Sequence, residues 1–401
     1  MMPDNLFRES LLIVAACAVA VVAFVRLNLP ALLGYLIAGL IIGPHGLRIL
    51  TASEGVRFLA ELGIIFLLFM IGLEFSLSKM IAARRIVFGV GGLQVALTAF
   101  VFFLGAMLFG FDVRSAIILS GVAAFSSTAV VVKQLADENE LAAPHARLTV
   151  GGRLFQDLAA LPFLVLVDTW RAGRLPDAPG IVWQLLVAAV AFAFVAMVAH
   201  FLFRRVLATV AQLRSNEPML LSVLALALGT AFATYRLGRS PPIGAFLAGM
   251  IIGETDLRHQ VEHDLRPFRD LLVGLFFVTV GMELDVSVVA SQPEIVLVWL
   301  VLLVGKGVLI AGLIRSLGWP SQVAAQAGAC LAQGGEFGLL LLTLSLSTGL
   351  IAQAVGQPAL VAVTLSMGLA PLVIERKEWL ARRIGRRNRR SLGTSDQEAK
   401  L

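Results

Sequence analysis

The sequence predicts an all-α membrane protein of about 13 transmembrane helices arranged as an inverted repeat, and three observations carry this. Apolar stretches of about 20 residues, long enough to cross a bilayer, recur along the whole chain. Hydrophobic residues make up 58% of the 401 and charged residues only 14%, against roughly 25% charged in soluble domains. Mean hydropathy is +0.89. Secondly, a glycine-rich motif recurs at a nearly constant offset. Thirdly, a single carboxylate, Asp157, lies within the apolar stretch from about Leu148 to Val167. Holding an ionised carboxylate near mid-bilayer costs at least about 2.5 to 3.5 kcal/mol on insertion scales. Such a group usually faces a polar cavity, where it binds a cation or carries a proton.

Taken in order, the spans are expected at about 10–26, 29–46, 56–75, 86–109, 113–135, 147–168, 180–206, 217–236, 241–255, 266–285, 294–316, 320–346 and 357–375. The second and ninth are short and rich in Gly and Pro. Asp137, Glu138, Asn139 and Glu140 mark the loop between the fifth and sixth. The first span follows no basic leader, since Asp4 and Glu9 offset Arg8, and is expected to be retained. Cys17 and Cys330 both fall in apolar spans, so no disulfide framework is indicated. The transmembrane domain is thus 1–375, and 376–401 is a basic tail expected to be disordered.

Orientation follows from Lys and Arg. The net charge of +6 comes largely from Arg382, Arg383, Arg386, Arg387, Arg389 and Arg390. Beside a span, such a run marks the cytoplasmic side rather than a nucleic-acid site. An odd number of spans then places the N-terminus out and the C-terminus in. Loops on the tail's side carry more cations (Lys79, Arg84, Arg85, Lys133, Arg258, Arg266 and Arg269 among them) than the opposite loops, with Arg48, Arg57, Arg114 and Arg236 among theirs.

The repeat pairs Gly34–Gly43 (GYLIAGLIIG) with Gly244–Gly253 (GAFLAGMIIG), an offset of 210. Gly72-Leu73-Glu74 pairs with Gly281-Met282-Glu283, and Pro162 with Pro371, both at 209. Gly-rich membrane helices resemble one another, which explains one match but not three. Spans two to six are repeated by nine to thirteen, with two spans between, so the halves enter from opposite sides. Inverted repeats of about 29–168 and 241–375 are a usual construction of secondary transporters. At the same offset Asp157 falls opposite Ser366 and Gln156 opposite Leu365. The charge is not duplicated, so an ion site belongs to one half.

The fifth span contains Ser126-Ser127-Thr128, and its repeat partner contains Gly334-Gly335-Glu336. Hydroxyl runs and Gly-Gly-Glu hold a continuous helix poorly. Interrupted segments at matching places in two repeats point to a binding site, where unwound carbonyls and half-helix ends attract ions. Helix-packing serines are the plain alternative, disfavoured because both halves show the interruption. Glu336 is suited to neutralise positive half-helix N-termini.

For Asp157 two cations are candidate partners. Arg153 lies four residues earlier on the same helical face. Lys306 lies in the eleventh span, and a lysine, unlike an arginine, can give up its proton within a cycle. Lys306 is therefore expected to be the switching partner and Arg153 to be structural or turned to a water-filled cavity. A carboxylate that takes either a proton or a metal ion, but not both, already provides a mechanism of exchange. No Walker-type phosphate loop, His-Glu-x-x-His or Cys-x-x-Cys occurs, which argues against an ATP-driven pump or an enzyme.

The run Phe155-Gln156-Asp157-Leu158-Ala159-Ala160-Leu161-Pro162 resembles the Phe-Gln-Asp motif of Kef-type potassium–proton antiporters, a branch of the monovalent cation–proton antiporters. So do Ala332–Gly338 (AQGGEFG), Phe69–Glu74 (FMIGLE) and Phe276–Met282 (FFVTVGM). The resemblance covers about Leu29 to Pro371. It implies a sodium–proton antiporter-like fold, with a dimerisation domain and a core domain holding two crossing discontinuous helices. It also implies Asp157 as the cation- and proton-binding carboxylate, Gln156 as its polar neighbour, and Ser126, Ser127, Thr128, Gly334, Gly335 and Glu336 as the crossover. Arg153 departs from the family's pattern. Full-length members usually carry a nucleotide-binding regulatory domain, so no cofactor is expected on these 401 residues.

The expected function is exchange of a monovalent cation, with K+ held at Asp157, for H+ across a bacterial inner membrane by a lipid-embedded homodimer, without nucleic acid as partner. One acid with Gln beside it suggests electroneutral one-for-one exchange. A gated cation channel on the same scaffold and a sodium–proton antiporter are the alternatives. A symporter of an organic anion is disfavoured by the charge of Asp157.

Overall fold

In a computed structural model, the structure describes residues 4–50, 53–171, 216–236, 240–379 and 381, with Met197, Phe201, Phe203 and Arg205. The expected seventh span and the basic tail lie largely outside the described residues. Eight described helices are long and apolar enough to cross a membrane, and three shorter apolar helices accompany them. No strand occurs among the described residues. The stretch expected to be one transmembrane domain divides into two compact units, 1–82 with 161–284 and 83–160 with 285–401. Each unit draws helices from both repeats.

In the first unit the two copies of the glycine motif form the short helices Ala31–Ile42 and Pro241–Gly253. Neither contains a charged residue, and Pro30 and Pro241 set their starts, where a missing N–H costs nothing. Each packs on a helix of the other repeat: Ala31–Ile42 on Arg258–Glu283, and Pro241–Gly253 on Glu54–Glu74. The contacts are reciprocal. A Cβ on Gly39 would collide with the Val278 carbonyl, and one on Gly281 with the Leu36 carbonyl. Across the other pair, a Cβ on Gly249 would collide with the Phe69 carbonyl and one on Gly72 with the Phe246 carbonyl. Such exchange of equivalent contacts is what two-fold related copies produce. Small residues here let backbones meet, the usual route to tight helix pairs in lipid.

In the second unit a π-helical turn, Arg85–Gly91, runs into the helix Gly92–Leu108. Val113–Ala124 follows, its first turn capped by the Asp112 carboxylate, which accepts from the Arg114 and Ser115 N–H groups at 3.1 and 3.3 Å. This helix stops at Phe125-Ser126-Ser127, and Thr128–Asp137 begins beyond the gap, capped by Ser127 Oγ. In the second repeat Ser321–Leu331 stops and Glu336–Ser347 resumes. The backbone is extended at Phe125 and Ser127 in the first interruption and at Gly335 in the second, and the two cross. The Ser127 N–H donates to the Gly334 carbonyl at 3.0 Å, and a Cβ on Gly335 would strike the Ser126 carbonyl. Only glycine lets the two strands approach this closely.

The loop expected at 137–140 begins at Glu138, Asp137 closing the helix before it, and Asn139 takes φ 57°, which asparagine tolerates. It anchors the end of the last helix, Gln353–Glu375. Buried Lys377 reaches Glu138, and also Glu140 at 2.9 Å. Burial works against its ammonium, but the hydrogen bonds it donates to these carboxylates, with their negative charge, outweigh that and hold Lys377 above the usual lysine range.

Candidate functional site

The site lies within the second unit, and the crossover builds it. Breaking two helices in mid-membrane leaves two positive N-terminal and two negative C-terminal ends facing one another. Each end carries roughly half an elementary charge, so the two like ends together amount to about one. Two side chains match them. Glu336, 5% exposed, accepts from the Thr128 N–H at 3.0 Å and from Thr128 Oγ1 at 2.5 Å, while itself opening the helix Glu336–Ser347. Lys306, wholly buried, donates to the carbonyls of Phe125 at 2.8 Å and Gln333 at 3.0 Å, one from each interruption.

This corrects the expectation for Lys306. Its ammonium is spent on carbonyls at the C-terminal ends of both half-helices, where a cation is favoured, and it is not the ion-pair partner of Asp157 in this structure. That partner is Arg153. Its Nη2 lies 3.0 Å from Asp157 Oδ1 and also contacts Thr128 Oγ1, and its Nη1 donates to the Ser126 carbonyl at 3.0 Å. Nη2 stands 3.8 Å from Glu336. Of the two expectations for Arg153, structural or turned to a water-filled cavity, its burial fits the first, since its side chain is 2% exposed against 15% for Asp157. The carboxylate is the more open member of the pair.

Gln156, next to Asp157, points about 100° around the helix from it and meets the N–H side of Ser126 rather than the ion pair. Its Oε1 accepts from the Ser126 N–H at 2.8 Å and its Nε2 donates to Gln94 Oε1 at 2.8 Å. Ser126 Oγ donates to the Leu331 carbonyl at 2.9 Å, binding one interruption to the other. Sequence reasoning passes over Gln94, although an amide in an apolar span (Gly91-Gly92-Leu93-Gln94) is itself a clue. Gln94 also donates to the Ala124 carbonyl at 3.3 Å, the last residue of its half-helix. Ser366, seen in the sequence only as the gap in the repeat, has an equivalent task. Its Oγ accepts from the Gly334 N–H at 3.0 Å. Each half thus caps one crossover N–H from its following span, by Gln156 in one and Ser366 in the other.

Because Gln94 is 1% exposed, replacing it by leucine removes its hydrogen bond to the Ala124 carbonyl and leaves Gln156 Nε2 with only the long contact to Ser126 Oγ at 3.5 Å. The expected cost is about 1–3 kcal/mol. Thermal unfolding of the detergent-solubilised protein checks it, and a melting temperature equal to wild type would remove Gln94 from the network.

Two broken helices crossing beside an intramembrane carboxylate define a class, that of secondary transporters with ion sites at the repeat interface. Residues 11–376 match the transmembrane sodium/hydrogen exchanger family, and the chain belongs to that family. It is 36% identical over 384 residues to a putative K(+) efflux antiporter KefB of Alkalimonas amylolytica, covering 95% of this chain and 58% of that one. It is 32% identical to the glutathione-regulated potassium-efflux system protein KefC of Escherichia coli, covering 93% and 60%. The K(+) efflux antiporter 2 of Arabidopsis thaliana chloroplasts is 35% identical, covering 90% of this chain and 31% of that one. The chain therefore spans less than two thirds of each of these relatives. In fold it is similar to the sodium proton antiporter MjNhaP1 of Methanocaldococcus jannaschii, with a TM-score of 0.59 at 16% identity, covering 93% and 96%.

Proposed function

We propose that the chain exchanges one monovalent cation, K+ foremost, for one proton, with Asp157 carrying each in turn. The observation that supports this most is the charge balance of the site. Glu336 and Lys306 are each committed to half-helix ends, so Asp157 is the carboxylate left to change its occupant. A neutral site with one such acid gains one charge with either a proton or a cation, which makes the two loaded states electrically equal. Equal loaded states are what electroneutral exchange requires.

Ser126 and Thr128 supply a carbonyl and a hydroxyl that share Arg153 with Asp157, Ser127, Gly334 and Gly335 form the crossing backbone, and Gln156 holds Ser126 in place rather than meeting the ion directly. The chemistry uses no cofactor. The relatives named as potassium-efflux antiporters support K+ as the cation, and Na+ is the ion of the antiporter similar in fold. A multi-pass protein of a bacterial inner membrane, working as a homodimer with its tail in the cytoplasm, is the setting this reading assigns.

Proton flux in proteoliposomes, with K+, Na+ and Li+ supplied separately, tests it. Proton release driven by K+, unchanged by clamping the membrane potential at zero, is the expected result. Cation current without proton movement would instead make the protein a channel. Flux with Na+ alone would keep the exchange and replace the ion.

A further inference from the structure

The guanidinium of Arg153 occupies a place that suits a metal ion. It is held by a carboxylate (Asp157), a main-chain carbonyl (Ser126) and a hydroxyl (Thr128), all on its inner end. These are oxygen ligands of the kind that replace the hydration shell of a hard monovalent cation. We propose that Arg153 is an internal competitor for the transported cation, holding these oxygens while no ion is bound and moving onto Glu336 when an ion takes them. This rests on Asp157 being the transport carboxylate.

An arginine stays charged throughout any such cycle. It cannot leave by losing its proton, and it cannot share Asp157 with a metal ion without strong like-charge repulsion in a poorly screened site. It needs a second carboxylate within reach. Glu336 is that group, with Oε1 at 3.8 Å from Nη2, a distance at which a small rotation closes the pair. Arg153 Nε has no hydrogen-bond partner, so the present seat does not use the whole fork of donors. Moving to Glu336 leaves neither carboxylate bare, because the arriving cation covers Asp157 as the guanidinium departs.

Position in the chain supports the same role. Arg153 and Asp157 stand one turn apart on the helix Pro144–Arg171. Rigid movement of that helix carries both and cannot separate them. A pairing of this kind is opened by the occupant of the site, not by the conformational change. Lys306 has no comparable freedom, since releasing it would strand two buried carbonyls.

Competition makes a signed prediction. Removing the competitor tightens cation binding, and removing its resting place weakens it. In proteoliposomes, Arg153→Met should lower the K+ concentration for half-maximal proton flux by about tenfold, an ordinary size for coupling between two binding events. Arg153→Lys, which restores the charge, should bring it back toward wild type. Glu336→Gln should raise it by a similar factor. The same three signs should appear in K+-dependent thermal stabilisation of the detergent-solubilised proteins, a readout independent of transport. A purely structural Arg153 would lower stability and maximal flux without moving half-saturation, and shifts in the same direction for Arg153→Met and Glu336→Gln would equally overturn the proposal. Asp157→Asn, measured alongside, separates the two ideas. Flux surviving in Asp157→Asn defeats the assignment of Asp157. Flux lost there but half-saturation unmoved in Arg153→Met defeats only the competition.

Discussion

Asp157→Asn is expected to reduce cation-driven proton flux to the background of empty liposomes while the protein remains folded. Asparagine matches the carboxylate in size and can still accept from Arg153 Nη2, so packing around the site is kept. What is lost is the exchangeable charge: an amide at this position neither releases a proton nor neutralises a cation. Stability should fall only modestly, by about 1–3 kcal/mol. Although losing one member of a buried pair can cost about 3–5 kcal/mol, Arg153 retains the Ser126 carbonyl, Thr128 and the nearby Glu336. Flux and thermal unfolding measured on one preparation check both halves of the expectation. Wild-type flux in the purified variant would remove Asp157 from the mechanism.

Lys306→Met is expected to act on the fold first. The side chain is fully buried, and its ammonium is shared by the Phe125 and Gln333 carbonyls. Methionine fills much of the volume but leaves both carbonyls unpaired, at about 1–3 kcal/mol each. It also deprives the half-helix C-terminal ends of their compensating charge while Glu336 still balances the N-terminal ends. A total on the order of 3–5 kcal/mol is expected, as for other broken buried charge arrangements. Thermal melting in detergent should show a large drop, and flux should vanish with the folded fraction. An unaltered melting temperature would show that the crossover does not depend on Lys306.

The two variants sort the cations that the sequence left as rivals. Both Arg153 and Lys306 lie in apolar spans, and both are chemically fit to meet a carboxylate. Preference for Lys306 rested on its ability to lose a proton, which is a property of the residue type. Its placement depends on something else. Carbonyls released by two interruptions some 200 residues apart meet at one point, and a cation there has the most to compensate. Gln156 shows the same limit. Adjacency to Asp157 in sequence suggested a shared task, yet consecutive residues on a helix point about 100° apart, and its amide lies against Ser126 and Gln94 instead.

What the sequence determined by itself was whatever depends on composition and order along one dimension. Membrane insertion follows from apolar length. The paired helix breaks follow from Ser126-Ser127 and Gly334-Gly335, which hold a helix poorly at corresponding places, each just before the residue that reopens one, Thr128 and Glu336. The repeat follows from matched glycines, and its failure at Asp157 and Ser366 confines the charge to one half. The tertiary structure decided how the repeats divide between two compact units, which glycines face which carbonyls, and which charge answers which. Pairing of buried charges depends on where the strong fields converge, and convergence of helix ends from distant segments is a property of three-dimensional packing. No spacing along the chain records it.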